Sequence, residues 1–214
     1  MLLMGGRLIA PAVASQFYRQ GGKLDTRVQP RVEGGLIIAM AVAVVTLVLT
    51  SWPPFALLAT AATAVAGALS AVRLLRWRLW ALRGRPDLFC LAAGYGWLAV
   101  GLLLYGAALA AGRYQAAALH IITVGALGTL TLNVMAMTST LKARQDPSRA
   151  RVRVGATILV GAATPARTLA GMALFDPQVL LGIASTTWSG AFALLLVLLV
   201  RLRTHTRRHE RQGG

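Results

Sequence analysis

Cysteine, acid and histidine are scarce in this 214-residue chain, which has 1 Cys, 6 Asp or Glu and 3 His. Each shortage removes a class of function. The lone cysteine, Cys90, can form no internal disulfide and no thiolate cluster, so it reads as a small core residue. The few carboxylates lie near the ends of apolar stretches or between them. They offer no paired general acid and base, and no ladder of acids for a proton relay across a membrane. Ser-His-Asp sets, glycine-rich phosphate loops with lysine and multi-cysteine sites are missing too. No stretch alternates apolar and polar residues over about ten positions, which excludes the strands of a membrane barrel.

Apolar residues are what the chain has, at 57% with a mean hydropathy of +0.65, against roughly 45–50% apolar in an ordinary soluble domain. Six stretches approach or exceed the length of about 20 residues that crosses a hydrocarbon core of about 30 Å. They are 35–52, 54–72, 88–111, 116–141, 154–175 and 178–200. This predicts an all-α, polytopic transmembrane bundle of about six spans. The connections are short and hold no soluble insert, so residues 1–214 form a single domain. Residues 1–20 carry their arginine after the first apolar residues, and read as the inner end of a helix rather than a secretory signal.

A net charge of +16 in a soluble protein would suggest nucleic acid. Its distribution argues otherwise. Lys and Arg gather before the first span (Arg7, Arg19, Lys23, Arg27, Arg31), in the second connection (Arg73 to Arg85), in the fourth (Lys142 to Arg153) and in the tail (Arg201 to Arg211). The other three connections hold only Arg113 among them. This alternation predicts both termini on the cytoplasmic side of a bacterial inner membrane. The basic loops then face anionic lipid head groups, and no nucleic-acid partner is needed. Residues 201–214 read as a frayed cytoplasmic tail. His205 and His209 sit there at i and i+4, a spacing that can ligate a metal from one helix face or simply belong to a basic tail against lipid.

An ionisable side chain inside a span is costly, roughly 2.5–3.5 kcal/mol for Arg, and marks a candidate site. Two residues qualify. His120 lies about four residues into the fourth span, roughly 6 Å below the outer boundary, and Arg167 lies roughly 12 Å deep in the fifth. An arginine can snorkel several ångströms outward, so the two can meet at one level. An imidazole there can ligate haem iron or copper, and a guanidinium can bond a haem propionate. The plainer reading is a histidine bonded to a neighbouring helix and an arginine paired with Asp176. Thr123, Thr131 and Thr138 recur near the face of His120. Ala118, Gly125, Ala126 and Gly128 make a small-residue surface for close helix contact. Thr164-Pro165 loosens the fifth span beside Arg167. Tyr95, Trp97 and Trp188 could flank a flat ring or only pack. Met172 has the right depth, but about 140° of helix separates its face from that of Arg167.

Three stretches carry a family resemblance: MGGRLIAP near the start, AGYGWLAVGLLL at 93–104, and above all ALHIITVGALGTLTLNVM at 118–135. Together they resemble the NnrS family of bacterial membrane proteins, and the likeness extends over nearly the whole chain. It corresponds to the second half of a family whose full members have about twice the spans. It implies haem, with copper as a second metal, and a link to denitrification and nitric oxide tolerance. By that resemblance His120 is the metal ligand at the head of the TVG helix, Arg167 the arginine of the following span, and Arg7 the arginine after the paired glycines. Ala92 stands where a histidine is expected. Met137 and LKARQD replace an arginine and a glycine-histidine-threonine-glycine run. The expected cofactor site is therefore His120, Arg167 and Thr123. A second axial ligand is left to another chain, in a homo-oligomer or with a membrane partner, or to no group at all. The implied role is not that of a turnover enzyme. A half-size transporter and a cofactor-free scaffold are the rival classes.

Overall fold

The computed structural model of the protein describes residues 9–19, 30–49, 52–77, 85–145, 151–173 and 175–212. Among them every regular element is a helix: α1 (Ala10–Arg19), α2 (Pro30–Val48), α3 (Pro53–Arg76), α4 (Pro86–Ala111), α5 (Gln115–His120), α6 (Gly128–Lys142), α7 (Arg151–Met172) and α8 (Pro177–Gln212). A π-helical segment, Ile121–Leu127, joins α5 to α6 in one rod.

Proline sets four of these starts, at Pro30, Pro53, Pro86 and Pro177. It has no N–H to leave unbonded in a first turn, and its fixed φ suits that position. The α2 and α4 helices therefore begin outside the apolar runs, which start at 35 and 88. The α4 helix ends on Gly112 in the left-handed region, φ 65°, and Tyr114 adopts φ 64° before α5. These two residues turn the chain back in a short hairpin. The tail differs from the expectation of fraying, because the α8 backbone stays helical to Gln212.

Among the described residues five helices are long and apolar enough to cross a membrane: α2, α3, α4, the α5–π–α6 rod and the part of α8 up to Thr204. The expected fifth span, α7, has the length at 22 residues but is not among them. Thr157, Thr164, Pro165, Arg167 and Thr168 interrupt its apolar sequence. Its polar groups turn inward, with Arg153, Thr164 and Thr168 all buried.

From α2 onward each helix packs on the next, with the α5–π–α6 rod taken as one, and α4 also meets α6 and α7, making it the centre of the bundle. Lipid tails are as apolar as leucine, so close packing rather than exclusion of water must hold such helices together. Small residues provide it. Alanines fill much of the core, among them Ala99, Ala126, Ala156, Ala163 and Ala191. Large aliphatics such as Ile38, Val44, Val45 and Val48 face outward. The α1 helix caps one end, where Ile9, Ala10 and Val13 cluster with Trp77, Leu88, Leu91 and Tyr95.

Candidate cofactor site

The α7 helix runs antiparallel to the α5–π–α6 rod, and three glycines set the register. A Cβ on Gly171 would meet Ala117 Cβ at 3.2 Å, one on Gly125 would meet Thr164 Cγ2 at 2.9 Å, and one on Gly128 would meet Val160 Cγ1 at 3.4 Å. Between these crossings His120 stands level with Arg167 and Thr168. The Arg167 guanidinium is near enough for its charge to act on the imidazole. Both side chains are half-buried. Asp176 is engaged elsewhere, accepting the Gln178 N–H at 2.9 Å at the start of α8. Among the described residues, no ion pair joins it to Arg167.

The π-helical segment begins one residue after His120. Such segments widen the helix and carry an extra residue, which rotates the residues beyond it by about 100°. A simple helical period therefore fails to relate His120 to Thr131 and Thr138. Thr123 stays near His120 on an exposed face, but its Oγ1 donates to the Leu119 carbonyl at 3.1 Å. Thr138 likewise donates to the Val134 carbonyl at 2.9 Å.

The aromatic residues pack. Tyr95 lies against Trp77 with ring centroids 5.1 Å apart, Trp97 covers Gly125 and Trp188 covers Gly128. Cys90 is buried, as expected of a core residue. Ala92 is buried in the core beneath α1, and Met137 packs against the same cluster. A cavity of about 860 Å³ opens between α2, α4 and the rod, lined by Leu36, Met40, Leu98, Tyr105, Leu119 and Ile122. His120 is not among its lining residues. Arg7 and the side chains of His205 and His209 lie outside the described residues. Among the described residues, no three His, Cys, Asp or Glu side chains come together as a metal centre. One imidazole and one guanidinium do stand level, a group able to ligate a metal beside one able to bond a carboxylate.

A second set of polar residues escaped notice in the sequence. Arg85 grips Asp87 with two hydrogen bonds, Nε to Oδ1 at 2.9 Å and Nη2 to Oδ2 at 2.7 Å, and Asp87 is fully buried. Arg153, also buried, lies in the field of Asp87 and Cys90. Arg73 pairs with Glu33 across α3 and α2 and lies 5.7 Å over the Trp77 ring. The signal available was the acid in the first turn of a proline-started helix, where the helix dipole favours it.

A helical bundle with five apolar crossing helices defines the class, a polytopic membrane protein of the lipid bilayer with a histidine and an arginine drawn together between two helices. The NnrS protein family model matches residues 1–207, and the chain belongs to the NnrS family. No curated protein and no solved structure matches it.

Proposed function

We propose that this chain is a haem-binding NnrS-type protein acting in the response to nitric oxide and in denitrification, in which His120 would ligate the iron and Arg167 would hold a propionate. The observation that carries the reading is the level placement of His120 and Arg167 at the mouth of the α5–α7 contact. Haem would be held by the His120 imidazole and the Arg167 guanidinium, and when bound would supply an iron centre able to bind a diatomic gas. Thr123 borders this site. Copper is a second metal that the imidazole could accept.

The chain forms one transmembrane bundle over residues 1–214, lying in a bacterial inner membrane with both termini and the 201–214 tail cytoplasmic. In that arrangement α7 is the fifth of six crossings, packed between the rod and α8, with Ile158, Ala162 and Pro165 exposed along its outer face.

The test is the absorption spectrum of the protein purified in detergent, with metal analysis of the same sample. A Soret band in stoichiometric amount is expected. Its absence after haem supplementation during expression would overturn the reading.

A further inference from the structure

In the middle of the bundle two polar atoms have no partner among the described residues. Thr129 Oγ1 and Asn133 Oδ1, one helical turn apart on α6, are fully buried and unbonded. The other end of the carboxamide is committed. Asn133 Nδ2 donates to the Thr129 carbonyl and to Thr157 Oγ1 on α7, each at 2.9 Å. Flipping the amide would set its oxygen against the Thr129 carbonyl, so Oδ1 keeps its orientation. A hydroxyl able to donate and a carbonyl able to accept, so placed, call for a molecule that accepts one hydrogen bond and donates another. Water is the smallest that does both.

These atoms end a longer polar seam. From Thr157 the seam passes to the buried Cys90, whose thiol feels Thr157 together with the charges of Asp87 and Arg153. Arg85 closes the series on the surface side, holding Asp87 with 20% of its own side chain exposed. Polar groups from α4, α6 and α7 thus follow one another from the surface to Thr129. Beyond Thr129 the seam stops. At Gly125 a Cβ would lie 3.0 Å from Trp97 Cγ and 2.9 Å from Thr164 Cγ2. The next hydroxyls, Thr164 and Thr168, donate to the Val160 and Thr164 carbonyls of their own helix.

We propose that this seam is a hydrated half-channel, open at the Arg85–Asp87 end and closed at Gly125, with an ordered water bridging Thr129 Oγ1 and Asn133 Oδ1 at its blind end. It admits small neutral molecules that both donate and accept hydrogen bonds, water first among them. The haem assignment is not needed for it.

Cys90 is the only cysteine, so the infrared S–H stretch of the full chain belongs to one residue. In lipid nanodiscs moved into D2O, that band is expected to convert to S–D alongside the loop amides. Two variants in a Cys90→Ala background locate the end of the channel. The thiol introduced by Thr129→Cys is expected to convert, whereas the one introduced by Thr164→Cys, packed against Gly125 at the closure, keeps its S–H band over the same period. Retention of S–H at Cys90 in the unmodified protein, a measurement that needs no variant, would overturn the proposal. So would retention at Thr129→Cys, or conversion at Thr164→Cys as fast as at Thr129→Cys.

Discussion

Leu130 on α6 occupies the space over Gly94 on α4: a Cβ at that glycine would fall 2.8 Å from Leu130 Cγ and 3.1 Å from its backbone nitrogen. The second distance matters more, because a leucine can change rotamer but a helix backbone must be pushed away. Gly94→Ala should therefore lower stability by about 1–3 kcal/mol, the usual cost of overpacking. Gly161→Ala has nothing within 4 Å of the new methyl and should be neutral or stabilising by up to about 1 kcal/mol. Denaturant unfolding in mixed micelles measures both, and equal effects would show that the α4–α6 contact is looser than described.

Asp87 is fully buried, gripped by Arg85 and in the field of Arg153. Asp87→Ala leaves the guanidinium with half of a tight pair and is expected to cost about 3 kcal/mol, as breaking a buried pair does. Arg85→Lys, which keeps the charge but loses the fork, should cost less than Arg85→Ala. A loss near the roughly 0.2–1 kcal/mol typical of exposed pairs, read from the same unfolding curves, would show that the two hydrogen bonds from Arg85 contribute little to holding the carboxylate.

The alternation of basic and neutral connections predicts that reporters fused after Gly214, or inserted within 142–153, are cytoplasmic, and that one inserted within 112–115 lies outside. Paired alkaline phosphatase and fluorescent-protein fusions read this directly. A cytoplasmic signal at 112–115 would remove the six-crossing arrangement, α7 included.

For the cofactor, His120→Ala should abolish the Soret band while the protein still inserts and accumulates. Arg167→Leu should instead retain the band but bind haem less firmly, with a shifted midpoint potential, since a propionate loses its charge-assisted bonds and the iron keeps its ligand. Redox-titrated spectra separate the two. An unchanged band in His120→Ala would leave the histidine a structural role worth about 0.6 kcal/mol, typical of an intramembrane hydrogen bond.

Much of the bundle was legible in the sequence because a span writes its own length in apolar residues. The prolines were equally visible, and Pro30 and Pro86 account for helices that begin before those runs do. The meeting of His120 and Arg167 could be reached by counting depth along neighbouring antiparallel helices. The face shared by His120 and its threonines could not, because the π-helical segment alters the period inside IITVGAL, an ordinary apolar run. Where it widens, Gly125 and Gly128 meet Trp97, Thr164 and Trp188, residues distant in the chain. The Asn133–Thr157 bond and the Cys90–Asp87–Arg153 group were hidden for a similar reason. Each draws on two or three helices, and no local spacing records which faces will touch.

The α8 helix is one uninterrupted element of 36 residues, about 54 Å long at 1.5 Å per residue, against a hydrocarbon core of about 30 Å. Its free end is thus a stiff crank rather than a tether. A rotation or tilt of the last span swings the basic end through an arc in the water. Whatever rests against that end, lipid or protein, is mechanically geared to α7, which carries Arg167, and through it to the rod that carries His120.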